Sequence, residues 1–112
     1  EISPDGSTLT FYYDDLKSSR EGTVYGVDEW RNLRFNSSKK KDITSAVFDA
    51  SFKNARPTDT SYWFCYLTNM ESIENLQYLN TSAVEDMSNM FRGCTSQLTA
   101  TDPKILEEYN NR

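Results

Sequence analysis

Nucleophilic and acid–base chemistry needs side chains that this sequence supplies unevenly, and histidine is missing altogether. Without an imidazole, Ser-His-Asp and Cys-His systems cannot be assembled, and the usual base near neutral pH is gone. Carboxylates remain. Asp14-Asp15 and Glu85-Asp86 are adjacent pairs, whereas glycosidase carboxylates face each other across a substrate about 5 to 10 Å apart. Neighbours on a strand point to opposite faces, so Asp14-Asp15 reads as solvated surface. Glu85-Asp86 reads as charge in the first turn of a helix, where the dipole favours anions. No catalytic residue is expected.

Metal and cofactor chemistry fares no better. Asp5-Gly6 is followed by no D-x-D-x-D-G loop, and turn chemistry accounts for it. Cys65 and Cys94 lack C-x-x-C spacing and are too few for a disulfide framework; each reads as a small buried hydrophobe, with pairing between them left open. No metal and no cofactor are expected. The basic run Lys39-Lys40-Lys41 reads as a solvated loop. Asn36-Ser37-Ser38 and Asn80-Thr81-Ser82 fit the glycosylation pattern but are read as structural, Asn80 as a cap.

Aromatic side chains are the richer resource: 7 Tyr, 6 Phe and 2 Trp must fill much of the interior and leave some rings outside. In Tyr62-Trp63-Phe64-Cys65-Tyr66-Leu67, a helix would bury Trp63, Phe64 and Leu67. Tyr62 and Tyr66, four apart, would then share an outer face suited to protein or sugar contacts, or else pack under the loop at 28–42. Tyr12 and Tyr78 are similar candidates on strand faces, where an extended or flat partner could lie. These four tyrosines are the candidate ligand-binding residues.

The elements that must position them are readable from periodicity. At 112 residues the chain fits one domain able to bury a core. Residues 8–14 alternate, with Leu9, Phe11 and Tyr13 on one face, and read as a strand. Asp5-Gly6 precedes it, and a break at Arg20–Thr23 would let Val24–Val27 pair back antiparallel. Residues 28–42 read as a loop pinned by Trp30, Leu33 and Phe35. Ile43–Phe52 reads as a covered strand. A short helix is expected from Thr58–Ser61 onward, a short strand over Ile73–Leu79, a helix over Val84–Cys94 with Gly93 near its end, and a short final helix around Lys104–Tyr109.

Charge and hydropathy set limits. A net charge of −5 repels phosphates, which argues against nucleic acid and anionic membrane surfaces. No run approaches the ~20 apolar residues of a membrane helix, and the first residues lack the regions of a signal peptide, so an export signal is expected to have been removed or to lie outside the sequence.

Ser61-Tyr62-Trp63-Phe64 falls on Ser88-Asn89-Met90-Phe91 at a spacing of 27 residues, typical of repeat proteins. The stretch Leu79–Cys94, with Asn80-Thr81-Ser82-Ala83-Val84-Glu85-Asp86-Met87, Met90-Phe91 and Cys94, resembles the N-T-S-x-V-x-D-M-x-x-M-F-x-x-C unit of BspA-type bacterial leucine-rich-repeat surface proteins. Tyr62–Leu76 resembles a first, degenerate unit, and Leu9–Asp15 the segment leading into it. Leu67 stands where that unit would carry cysteine, and Gln97 looks inserted before Leu98-Thr99.

The fold expected is α+β: an N-terminal antiparallel hairpin leading into a short leucine-rich-repeat-like strand-helix array. It would be a single domain 1–112, with a β-rich cap at 1–57, two repeat-like units at 58–99 and a tail or short helix at 100–112. The array either is capped early or continues beyond the sequence. The resemblance implies a non-catalytic, secreted or surface-attached bacterial module that binds extracellular host or bacterial proteins, or glycans. The alternative is a structural cap of a longer solenoid without a ligand of its own.

Overall fold

The computed structural model describes residues 1–33, 38–95, 98 and 100–112. The expected anchor Phe35, the Asn36 glycosylation pattern and the Gln97 insertion lie outside the described residues. Three strands, β1 (Thr8–Phe11), β2 (Ser45–Phe48) and β3 (Ser72–Glu74), stack in chain order into one parallel sheet. Leu9 lies beside Ala46 and Ala46 beside Ile73, while Phe11 lies beside Phe48. Leu9, Phe11, Ala46 and Phe48 point inward and are buried, as a strand period of two requires.

The sheet being parallel throughout, the expected antiparallel hairpin is wrong. Val24 to Gly26 form no strand, and Val27 opens helix α1 (Val27–Leu33). The outer edge of β1 is covered by the first residues instead: Ile2 forms isolated antiparallel bridges to both Leu9 and Thr23. The Ile2 and Thr23 backbones exchange hydrogen bonds of 2.8 and 2.9 Å. Glycine at 22 is what allows this approach, because a Cβ there would stand 2.0 Å from the Ile2 carbonyl. Parallel neighbours need long crossovers, and the stretches from β1 to β2 and from β2 to β3 supply them.

The helices expected at 61–67 and 84–94 are also absent. Each segment is a run of tandem turns, with i→i+3 bonds to the N–H groups of Trp63, Cys65 and Leu67 in one and of Met90, Arg92 and Cys94 in the other. Left-handed residues punctuate both runs at equivalent places: Tyr62 (φ 65°) with Asn89 (58°), and Tyr66 (59°) with Gly93 (82°). In a continuing α-helix no residue takes positive φ.

Tandem turns leave alternate peptide groups pointing along the stack, and these join the two runs. The N–H groups of Thr60, Tyr62, Phe64 and Tyr66 donate to the carbonyls of Asp86, Ser88, Met90 and Arg92 at 2.9, 3.2, 2.8 and 2.6 Å. The carbonyls of Asp59, Ser61, Trp63 and Cys65 face the other way, toward α1 and the 3₁₀ turn at Ser38–Asp42, and side chains occupy all four. Arg31 donates to Asp59 (2.7 Å) and Ser61 (3.1 Å), Trp30 Nε1 to Trp63 (2.7 Å) and Lys40 Nζ to Cys65 (3.0 Å). Lys40 is therefore not part of a solvated loop; it is 2 % exposed, while Lys39 and Lys41 do lie in solvent.

Helix α2 (Pro103–Asn110), capped by Asp102 Oδ1 on the Lys104 N–H, closes the opposite end. It buries Ile105, sets the Tyr109 ring edge-on against Phe91, and brings the Glu108 carboxylate to the Asn89 N–H. Between the two ends an aromatic stack fills the core: Phe11 stacks on Phe48 (4.8 Å) and Trp63 (5.0 Å), and Phe64 on Phe91 (5.4 Å).

Candidate functional site

A pocket of about 150 Å³ opens on the first coil, between the end of β1 and the segment that leads into α1. Its floor is apolar: Leu9, Phe11, Trp30 and Phe52 come from the core. Its walls include Tyr12, Val24, Tyr25 and Val27, and its polar groups are Glu1, Asp14, Lys17 and Arg20. The 3₁₀ turn at Lys17–Ser19 carries the chain back over the pocket and delivers Arg20 onto Tyr12.

Arg20 organises this wall. Its guanidinium lies 3.6 Å from the centre of the Tyr12 ring, and Nη2 donates to Asp14 Oδ2 at 2.5 Å. Arg20 Nε is buried and has no acceptor among the described residues. Trp63 Nε1 is the other such donor, but it sits inside the aromatic core rather than on a surface. A buried N–H without an acceptor costs about 1–3 kcal/mol.

The rim is apolar. Tyr13 (57 % exposed), Leu16 (52 %) and Val27 (44 %) are the strongly exposed large hydrophobic side chains among the described residues. Val27 lines the pocket, and Tyr13 and Leu16 flank the lining residues Asp14 and Lys17 in the chain.

The sequence candidates are not brought together. Tyr12 lines the pocket. Tyr62 and Tyr66 sit half-buried on the tandem turns and lean onto the next run, Tyr62 Oη accepting from Asn89 Nδ2 (3.2 Å) and Tyr66 packing on Gly93 with Arg92 over its ring. Tyr78 belongs to a 3₁₀ turn, Leu76–Tyr78, and packs on the core. Tyr25, Arg20 and the exposed rim were missed. The sequence does carry a trace of them, since Asp14 and Arg20 are six apart around a polar turn beside an exposed Leu16.

One member of each acidic pair is in structural use. Asp14 Oδ1 accepts from the Leu16 N–H at 3.1 Å while Oδ2 holds Arg20, and Glu1 accepts from the Gly22 N–H at 2.6 Å. Asp86 lies in no helix; it accepts from Ser88, whose hydrogen bonds hold its carboxyl below the usual range. Asp5 is held at about 2 by Ser3 Oγ and by the Ser7 N–H and hydroxyl, a turn rather than a cation loop. Asn80 Oδ1 accepts from the Ser82 N–H.

Cys65 and Cys94 are buried and form no disulfide, and Cys94 Sγ donates to the Phe64 carbonyl at 2.8 Å. Among the described residues no three His, Cys, Asp or Glu side chains gather as a metal site, and no helix is long and apolar enough to cross a membrane.

A second, open cleft of about 820 Å³ runs between residues 76–82 and 100–105. It holds no aromatic ring and is bridged by Thr81 Oγ1 on Asp102 and by Lys104 Nζ on the Thr81 carbonyl (3.2 Å). Comparison with protein-family models, with curated proteins and with solved structures finds no match to this chain.

Proposed function

We propose that this chain is a non-catalytic binding module that captures a partner protein on its first coil. The observation that carries the reading is the apolar pocket lined by Tyr12, Tyr25, Val27 and Arg20, with Tyr13 and Leu16 exposed next to its lining residues in the chain. A concave apolar site with a few placed polar groups has the anatomy of an interface anchor. The engaged state of Asp14 and Glu1 speaks against a carboxylate pair free for glycoside cleavage.

The resemblance of Leu79–Cys94 to BspA-type surface proteins adds the setting: secreted or cell-surface, bacterial, with extracellular proteins or glycans as partners. The other reading, a structural cap without a ligand, is disfavoured by the two closed ends. A neighbouring repeat would have to displace α2 from Phe91 and Asn89, or Arg31 and Lys40 from their carbonyls.

The test is binding of the purified chain to immobilised extracellular glycoproteins and to glycans, beside a Leu16→Asp/Val27→Asp variant whose fold is checked by circular dichroism. Saturable binding, weakened about tenfold or more in the variant, is the expected result. Binding that the variant retains in full would move the site elsewhere on the surface, and no binding to any member would favour the cap.

A further inference from the structure

We infer that the partner is a second copy of this chain: Leu16 of each copy enters the first-coil pocket of the other, and a two-fold axis relates the two contacts. The inference rests on the binding reading above and names its partner.

Shape supplies the first argument. A space of about 150 Å³ holds one benzene-sized group, so the pocket has room for a single large side chain. Its floor of Leu9, Phe11, Trp30 and Phe52 suits hydrocarbon. The chain itself carries such a group close by: Leu16 is exposed, one residue from the lining residue Lys17 and two from Asp14. With Cα atoms about 3.8 Å apart along the chain, knob and hole belong to one patch of surface. A patch that holds both is self-complementary, as a closed two-fold interface requires.

Rigidity supplies the second. The Leu16 N–H donates to Asp14 Oδ1 at 3.1 Å, and the Leu16 carbonyl accepts from the Ser19 N–H at 3.0 Å and from the Ser19 hydroxyl at 2.8 Å. Asp14 is held in turn by Arg20. A leucine exposed on a turn whose backbone is already fixed loses little freedom when a partner buries it, which is the property of an anchor.

Charge supplies the third. Among the lining residues Glu1 and Asp14 balance Lys17 and Arg20, so two copies can bring this patch together although each carries −5 overall. A strongly charged partner gains nothing from a balanced lining, whereas an identical surface loses nothing by it. One side chain inserted from each side makes a small contact, of the weak and transient class.

The experiment is sedimentation equilibrium of the full chain over a concentration series. Beside it run Leu16→Asp, which removes the knob, Val27→Trp, which fills the hole from its wall, and an equimolar mixture of the two. Leu16 and Val27 are both exposed, so neither change enters the core, and circular dichroism checks the fold. The mass of the full chain is expected to rise toward that of a dimer, with a dissociation constant of about 10 μM to 1 mM. Each variant alone should associate about a hundredfold more weakly, because a two-fold contact loses both insertions at once. The mixture should regain about tenfold, since Leu16 of the Val27→Trp chain still fits the open pocket of the Leu16→Asp chain. Association should tighten as salt is raised, because the copies carry charge of one sign.

A full chain that stays monomeric at every concentration up to about 1 mM overturns the inference. So does association that either variant keeps in full, a mixture that associates no better than its components, or a dimer that salt weakens. A monomeric chain that still binds the glycoprotein or glycan array leaves the binding reading standing, and one that binds nothing there removes both.

Discussion

At the residue scale, positive φ is the feature on which the tandem turns depend. Glycine at 93 has φ 82°, and a Cβ there would stand 2.9 Å from Tyr66 Cδ1. Gly93→Ala combines a left-handed penalty with that contact and should cost about 1–2 kcal/mol or more in urea unfolding. Asn75 is left-handed too (φ 61°), exposed, and makes no side-chain cap bond. Asn75→Gly should therefore be neutral or stabilising by less than about 1 kcal/mol, and a large loss there would show that backbone strain is not what these positions share.

Cys94 gives a pH signature. Burial pushes its thiol up from 9.0 to about 12. Between those values the folded chain keeps a proton that the unfolded chain has released, so this group's contribution is constant below pH 9 and falls as pH rises toward 12. The slope is at most about 1.4 kcal/mol per pH unit. Lys40, lowered chiefly by desolvation, works in the opposite direction in both wild type and Cys94→Ala, and the smaller upward pull that Cys94 exerts on it is lost in the variant. The stability advantage of wild type over Cys94→Ala should therefore shrink from pH 9 to 11 in parallel urea titrations. A constant difference would mean that the thiol is not held protonated by burial.

Among elements, the sheet strands were legible, whereas the turns were not and the strand expected at Val24–Val27 does not form. Alternation at Leu9 and Phe11 and at Ala46 and Phe48 located β1 and β2 because one buried face imposes period two, and the short final helix expected around Lys104–Tyr109 falls within α2. Spacings of three and four at Val84, Met87, Met90, Phe91 and Cys94 cannot separate an α-helix from tandem i→i+3 turns, since both bring such positions to one side. The missing discriminator lies in the 27-residue alignment, which sets Tyr62 on Asn89 and Tyr66 on Gly93. Asn and Gly four apart are the residues that tolerate left-handed backbone.

Helix α1 was read as loop, although Asp28 and Glu29 lie in its first turn and Glu29 Oε1 accepts from the Gly26 N–H at 2.8 Å. Its Arg31 then closes two carbonyls of the ladder. Arg31→Met keeps much of the hydrocarbon stem and leaves Asp59 and Ser61 without their donors, which should cost about 2–4 kcal/mol in urea unfolding. A loss within experimental error would mean that water replaces the guanidinium without penalty.

For the whole molecule, the tandem turns form a ladder with unlike ends. One end presents carbonyls and is closed by Arg31, Trp30 and Lys40; the other is covered by α2, with Glu108 on the Asn89 N–H and Tyr109 on Phe91. None of this polarity shows in composition, because cations near one end and an acid near the other are ordinary surface residues until the direction of the peptide groups is known. Stacks whose units bury their faces only on neighbours depend on such closures. An uncovered end is an unpaired edge open to another chain, and a donor end meeting a carbonyl end is a head-to-tail contact that does not close on itself. Truncation after Thr101 should therefore expose Phe91 and the Asn89 N–H and raise the sedimentation-average mass with concentration, relative to the full chain under the same conditions. Arg31→Met/Lys40→Met, which frees the carbonyl end instead, should associate with the truncated chain more strongly than either does with the full chain. If the truncated chain stays folded and sediments as the full chain does at every concentration, α2 is not the closure of the ladder, and the cleft at 76–82 and 100–105 would be the better account of where that helix is needed.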